Sequence, residues 1–130
     1  SELFPFVAAA HAGRKGTESK ILYSLLEELN NTFDFVTGLK EKNQILSVWF
    51  GPAICEKCYQ IDRKTDTHYS LSAKNEAQLK DFFEKYNLDW QVSLKLEVAD
   101  NCTLHEPEKF YSYRQTGKGV PMNYSFVGIF

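Results

Sequence analysis

Apolar residues recur at helical spacing in two stretches of the chain, 17–30 and 73–86, and predict two amphipathic helices. The apolar positions of the first stretch are Ile21, Leu22, Leu25, Leu26 and Leu29. Those of the second stretch are Ala77, Leu79, Phe82, Phe83 and Tyr86. Both stripes are expected to be core. The polar, turn-rich segments 31–43 and 62–72 are expected to be loops, with the aromatic side chains of Phe33 and Phe35 anchoring the first.

Strands are predicted where apolar residues run together or alternate with polar ones. The run 7–10 predicts a strand buried on both faces, because small and β-branched apolar residues suit such strands. The run 45–50 predicts a second strand, buried along most of its length. The strict alternation over 91–98 predicts a strand buried on one face. The tail 122–130 is expected to form a closing strand. Helices and strands in alternation predict an α/β or α+β layered domain.

Composition narrows the classes of function. With 130 residues, 43% of them hydrophobic, the chain has the length of a single domain, 1–130, with a sizeable core. A net charge of −2 without basic blocks argues against nucleic-acid binding. No apolar run approaches the roughly 20 residues of a membrane span. Three cysteines, an odd number, favour free, metal-bound or catalytic thiols in a reducing compartment, the cytoplasm.

Two short motifs carry the cysteines. Cys55 and Cys58 have Cys-x-x-Cys spacing, and Cys102 and His105 have Cys-x-x-His spacing. Together they could offer a zinc ion four ligands, as in a non-catalytic metal-binding or partner-binding domain. Neither motif carries the glycine that usually tightens a zinc knuckle. Free thiols are the more common outcome for such spacing, and a redox pair at Cys55 and Cys58 is a further alternative.

The turn after the first predicted strand contains several residues that could bind an anion or take part in catalysis. His11 is followed by Gly13, Arg14, Lys15 and Gly16, and a helix is expected to start at Thr17. A histidine, two cations and a helix N-terminus suit an anion-binding or catalytic corner. A solvated basic turn explains the same residues.

Aromatic residues surround a second candidate cation. Tyr113 and Arg114 close the segment 110–114, where a guanidinium beside rings could hold a planar heterocycle or an anion. Burial of the rings, with Arg114 in a structural ion pair, explains this loop equally well. His68 and His105 are expected to be solvated.

Four segments, in order, resemble one family. The segment 11–16 is similar to its His-Ala-Gly-Trp-Arg-Gly motif, and Gly51-Pro52-Ala53-Ile54 with Cys58-Tyr59 resembles its Gly-Pro-x-Ile-x-x-x-Cys-Tyr motif. Cys102-Thr103 and the segment 110–114 resemble its Cys-Thr and Phe-Phe-Ser-Tyr-Arg-Arg motifs. The family is the YfiH-like family, known as multicopper polyphenol oxidoreductase laccase and as purine nucleoside phosphorylase. The resemblance extends from Val7 to the end of the chain.

The resemblance implies an α+β layered sandwich of mixed sheet and helices, and a metalloenzyme that cleaves purine nucleosides such as adenosine, inosine or methylthioadenosine with phosphate. Adenosine deamination is also attributed to the family. It further implies a zinc centre of two histidines and one cysteine, with His11 as a catalytic metal ligand. Copper is the second choice, because three histidines do not supply the several copper sites of a laccase.

In the family, the other two metal ligands lie on segments that precede the motif containing His11. None of Cys55, Cys58 or Cys102 matches the cysteine ligand. The chain is therefore expected to be the C-terminal portion of such a protein, completed by an N-terminal half or by a homo-oligomer. Gly13, Arg14, Lys15, Gly16, Tyr113 and Arg114 are the candidate phosphate-binding and substrate-binding residues. The sequence departs from the family where Arg14 replaces tryptophan, Lys15 replaces arginine and Gln115 replaces the second arginine of the last motif.

Overall fold

A computed structural model of the chain describes residues 5–106 and 108–109. Its helices are α1 (Arg14–Glu18), α2 (Ile21–Phe33), α3 (Phe35–Glu41), α4 (Leu71–Lys85) and α5 (Trp90–Ser93). Its strands are β1 (Leu46–Phe50), β2 (Gln60–Asp62), β3 (Thr67–His68) and β4 (Leu94–Val98), and a 3₁₀ turn spans Glu56–Cys58. Helices with small sheets are consistent with the predicted α+β class. The predicted strand 122–130 lies outside the described residues, in which no helix is long and apolar enough to cross a membrane.

The core lies where α2, α3 and α4 meet. Its fully buried side chains come from α4, namely Leu79, Phe82 and Phe83. The ring of Phe82 lies 5.6 Å from that of Phe35 in α3 and 4.8 Å from that of Tyr86. The predicted stripe is thus confirmed as core at Leu79, Phe82 and Phe83, whereas Ala77 is exposed.

The larger sheet pairs β1 with β4 in parallel, from Leu46 opposite Leu94 to Phe50 opposite Val98. The crossover between the two strands includes α4, as a parallel pair requires. One face of this sheet packs on the helical core through the side chains of Leu46, Val48, Leu94 and Leu96. The opposite face is open, and Trp49 is 56% exposed there. The prediction that 45–50 forms a strand is confirmed for Leu46–Phe50, but its burial along most of its length is wrong, because Ile45 and Trp49 are exposed.

The prediction of a buried strand at 7–10 is wrong. These four residues belong to no strand, and their side chains are exposed. Within the described ranges, β1 and β4 pair only with each other, so no ladder receives this segment. A run of small apolar residues becomes a buried strand only where neighbouring strands satisfy its backbone groups.

Two predicted boundaries of secondary structure moved. The helix expected over 17–30 is divided at Lys20, which has a left-handed backbone with φ of 58°, so that α2 begins at Ile21. The strand expected over 91–98 begins only at Leu94, since the Asp89 carboxylate accepts a hydrogen bond from the Gln91 N–H and caps the short helix α5. Local capping chemistry overrides the alternating pattern here.

Both predicted loops contain regular structure. The segment 31–43 holds α3, whose residues Phe35, Val36 and Leu39 are buried in the core. The segment 62–72 contributes to the hairpin of β2 and β3 and to the first turn of α4. The few apolar residues of α3 stabilise a helix in this polar segment because they pack in the core with α4.

An ion pair between α2 and α4 predicts how stability changes with acid. The Glu27 carboxylate accepts hydrogen bonds from Lys85 Nζ at 2.7 Å and from the Tyr86 hydroxyl at 2.9 Å. The bond from Lys85, opposed by burial, lowers the pKa of Glu27. A lowered folded-state pKa contributes stability that is present above the ordinary carboxyl pKa and is lost as the pH falls through the folded value. Chemical denaturation from pH 7 to pH 3 should therefore show a shallower acid loss for Glu27→Gln than for the native chain, and equal slopes would contradict this.

Candidate functional site

A surface pocket of about 440 Å³ brings the first candidate residues together. Its lining consists of His11, Gly13, Arg14, Lys15, Gly16 and Tyr59. Five of these were candidates from sequence, and Tyr59 was not singled out as a site residue. The candidates Tyr113 and Arg114 lie outside the described residues.

Gly13 lets the imidazole of His11 lie against the backbone. A Cβ built on Gly13 would stand 3.3 Å from His11 Nε2, tighter than ordinary van der Waals contact. The backbone at Gly13 is extended, with φ of −73°, so any residue could adopt it. A residue with a Cβ at position 13 would therefore require the exposed His11 ring to shift by a few tenths of an ångström.

The two cations of the pocket differ in their partners. Arg14 Nε lies 3.6 Å from a carboxylate oxygen of Glu18, one turn further along α1. Lys15 is exposed and takes part in none of the ion pairs within the described ranges. Since α1 has only five residues, its dipole adds little to the field of these side chains. Lys15 is therefore the cation best placed to meet an incoming anion.

A buried polar network fixes the pocket turn to α4. The Thr17 hydroxyl accepts a hydrogen bond from Asn75 Nδ2 at 3.0 Å and donates one to the Ala12 carbonyl at 3.3 Å. Gln78 Nε2 donates to the Thr17 carbonyl at 2.7 Å. The sequence predicted only that a helix starts at Thr17, and it did not single out Asn75 or Gln78. The sequence feature that could have identified them is their position beside the apolar stripe of α4. From there both side chains reach the turn that carries His11.

Tyr59 reaches the pocket from the 3₁₀ turn. Its N–H donates to the Glu56 carbonyl at 3.1 Å, and its own carbonyl accepts from the Tyr69 N–H at 3.0 Å. The rings of Tyr59 and Tyr69 lie 6.0 Å apart, edge to face. His68 braces the same turn, with Nδ1 2.8 Å from the Glu56 carbonyl and Nε2 3.0 Å from Asp66. These bonds raise the pKa of His68, which is more engaged than its prediction as a solvated residue implies.

The two cysteine motifs meet in space. The ligand atoms of Cys55, Cys58, Cys102 and His105 all lie within 4.8 Å of one another and form a Cys₃His metal-binding group, the Cys₃His cluster. His105 Nε2 is 3.0 Å from Cys58 Sγ, and its Nδ1 is 3.7 Å from Cys55 Sγ. His105 is exposed, as predicted, yet its ring belongs to this cluster.

Backbone contacts hold the two motifs side by side. Ala53 and Cys102 form an isolated parallel bridge, in which the Thr103 N–H donates to the Ala53 carbonyl at 3.2 Å. The Cys55 N–H donates to Cys102 Sγ at 3.3 Å. The bridge lies beyond the ends of β1 and β4, so the parallel sheet brings these distant segments of sequence together.

The thiols of the cluster ionise at different pH. Burial raises the pKa of Cys58 to about 12, and the neighbouring thiols of Cys55 and Cys102 add to the rise. Burial also opposes ionisation of Cys102, but the backbone N–H groups of Cys55, Leu104 and His105 outweigh it and lower the pKa to about 7. Cys102 is therefore the more readily ionised of these two thiols, and Cys58 the more firmly protonated.

The metal centre that the family resemblance implies does not fit the described residues by themselves. His11 is the one residue here that matches a ligand of that centre. Within residues 5–106 and 108–109, the only group of three or more potential ligands is the Cys₃His cluster, and His11 is not part of it. Among the described residues, His11 is thus the only one that the resemblance predicts to be a ligand of the family centre.

Comparison with known proteins assigns the chain to a family. The model of the multi-copper polyphenol oxidoreductase laccase family matches residues 4–129. Purine nucleoside phosphorylases from Haemophilus influenzae and Synechocystis are each 30% identical to the chain, over 86% and 85% of its length. The YfiH purine nucleoside phosphorylase of Escherichia coli is 28% identical over 84% of it.

The chain spans about half the length of these curated relatives, namely 49%, 51% and 45% of the three. No solved structure gave a significant match. The family model nevertheless covers nearly the whole sequence, including the segments on which the resemblance was based. The chain therefore belongs to the multi-copper polyphenol oxidoreductase laccase family, whose YfiH-like members it resembles.

Proposed function

We propose that the protein is a purine nucleoside phosphorylase and that the pocket around His11 binds its phosphate. In phosphorolysis a phosphate oxygen bonds to the anomeric carbon of the sugar while the bond from that carbon to the base breaks. The products are a sugar 1-phosphate and the free base, which takes up a proton. The observation that carries the proposal is a pocket in which Lys15, free of ion pairs among the described residues, stands beside His11 and Arg14. The names of the relatives support the same activity.

Each pocket residue would have a distinct part. Lys15 would meet the phosphate as a point charge, and Arg14 would add a second cation if it turned from Glu18. His11, pressed against Gly13, is held where it could donate a proton or accept one at the phosphate or the base. These residues would lower the activation barrier chiefly by positioning the phosphate dianion against a sugar that gains positive charge in the transition state.

The finer features of the proposal follow the family. The proposed substrates are adenosine, inosine and methylthioadenosine, with adenosine deamination as a second activity and the cytoplasm as the location. The proposed metal is zinc, which would need ligands besides His11 from an N-terminal half or another copy of the chain. The proposed architecture is a layered sandwich in which further strands cover the open face of β1 and β4. Tyr113 and Arg114 are proposed to contact the nucleoside.

Removing the charge of Lys15 tests the phosphate site. In Lys15→Gln we expect the KM for phosphate to rise about tenfold or more, because a hydrogen bond to a charged group contributes about 1.5–3 kcal/mol. The KM for the nucleoside should stay nearly unchanged. Steady-state phosphorolysis by the protein encoded in its native gene measures both constants.

Lys40→Gln is the matched control, since Lys40 is an exposed lysine of α3 remote in sequence from the pocket. It should leave both constants as they are. An unchanged phosphate KM in Lys15→Gln and in the double variant Arg14→Gln/Lys15→Gln would remove these residues from phosphate binding. Absence of any phosphorolysis in the native protein would contradict the proposed activity itself.

A further inference from the structure

We propose that the Cys₃His cluster binds one zinc ion, as a structural site that fastens the Cys55–Cys58 turn to the Cys102–His105 turn. This site is separate from the centre to which His11 would belong, because the two share no residue. It does not depend on phosphorolysis. A protein of this fold could hold this zinc ion whether or not it cleaves nucleosides.

The geometry is close to that of a tetrahedral zinc site. Zinc–sulfur bonds of about 2.3 Å place the sulfurs of a tetrahedron about 3.8 Å apart. The four ligand atoms lie within 4.8 Å of one another, and Cys55 Sγ is already 3.7 Å from His105 Nδ1. Shifts of about 1 Å in side chains on two short turns would complete the site.

The donor set selects the metal. Three thiols and one imidazole are a set found in structural zinc sites, in which no open position remains for water. Cysteine and imidazole ligands in a tetrahedron favour zinc over the hard cations Mg²⁺ and Ca²⁺, which take oxygen ligands. Lys57, exposed within the 3₁₀ turn, adds a positive charge beside the net negative charge that three thiolates leave on a bound zinc ion.

The scaffold around the cluster is already built. The Cys55 N–H donates to Cys102 Sγ, an outer-shell bond of the kind that stabilises a ligating thiolate. The bridge from Ala53 to Cys102 aligns the turns, and the Glu106 N–H closes the second turn on the Cys102 carbonyl at 3.1 Å. A metal ion here would tie the region following β1 to the region following β4.

The same site would stiffen one wall of the His11 pocket. Tyr59 directly follows Cys58 and lines that pocket. Its backbone bonds to Glu56 and Tyr69 span the 3₁₀ turn and the hairpin. A fixed Cys58 would therefore restrict where the Tyr59 ring can lie.

Metal analysis of the purified full chain tests the proposal. We expect one zinc per chain at the Cys₃His cluster, and after exchange into Co²⁺ a near-ultraviolet thiolate-to-cobalt absorption band. Loss of an outer-shell partner typically weakens metal binding about 10–100-fold. Cys58→Ala removes a ligand itself and should weaken zinc binding by more than that. Cys58→His restores a ligand at that position and should retain one zinc per chain with a weaker cobalt–thiolate band. In His11→Ala the Cys₃His cluster should keep its zinc ion, because His11 is not one of its four ligands.

Four results would overturn the proposal: zinc below one-tenth of an equivalent, copper or iron in its place, three freely reactive thiols without chelator, or a disulfide among them. Unchanged zinc affinity in Cys58→Ala would also overturn it. Hydrogen exchange tests the structural role without relying on variants. Zinc should slow exchange of the Tyr59, Tyr69 and Thr103 amides, and equal rates with and without zinc would exclude that role.

Discussion

Phe82→Ala is expected to lower the free energy of unfolding by about 3–5 kcal/mol, the range for removing a buried aromatic side chain. The ring of Phe82 is fully buried and contacts aromatic rings from α2, α3 and α4. Its deletion would leave a cavity at the point where the three helices meet, and their relaxation can fill only part of it. Urea unfolding at pH 7 measures the change.

Two controls on the same helix make the result specific. Phe82→Leu keeps most of the apolar volume and should lose a clearly smaller free energy than the alanine variant. Glu84→Ala removes an exposed side chain next to the core and should stay within about 0.5 kcal/mol of the native chain. A loss below about 1 kcal/mol in Phe82→Ala would mean that the core is not packed around this ring.

The helix α4 could be predicted because its signal is local. Leu79, Phe82, Phe83 and Tyr86 repeat with the period of a helix, and Ser70 caps the start by accepting from the Ala73 N–H. The segment 7–10 has no such signal. Whether a run of small apolar residues is a strand depends on which strands lie beside it, and the run itself does not contain that information.

The candidate site shows the same division. The residues from His11 to Gly16 are consecutive, so the sequence alone shows that they lie near one another. The Cys₃His cluster needed the structure, because only the parallel pairing of β1 with β4 and the bridge at Ala53 bring its halves together. Tyr59 and Asn75 were not singled out for a similar reason, since each meets the His11 turn from a distant part of the chain.

Asn75→Asp is expected to destabilise the fold by about 3 kcal/mol or more at pH 7, the effect of a buried charge without a partner. Asn75 is only 6% exposed, and its Nδ2 donates to the Thr17 hydroxyl and to the Leu71 carbonyl. Its Oδ1 has no hydrogen-bond partner among the described residues. An aspartate would lose both donated bonds and place a carboxylate against the Leu71 carbonyl oxygen. The Thr17 hydroxyl could donate to it only by giving up its bond to the Ala12 carbonyl.

The pH dependence separates this charge effect from a simple loss of hydrogen bonds. Burial should raise the folded-state pKa of the new carboxyl group above its unfolded value of about 3.9. The penalty should therefore be largest above the folded pKa and should shrink as the pH falls towards the unfolded value, where both states are protonated. Asn75→Ala removes the donors together with the unpaired Oδ1, so its smaller cost should not vary with pH in this way. Urea unfolding of both variants at pH 4 and pH 7, each against the native chain, measures the difference. If the loss of stability in Asn75→Asp is equal at the two pH values, position 75 is open to water. The turn carrying His11 is then not held to α4 through a buried Thr17.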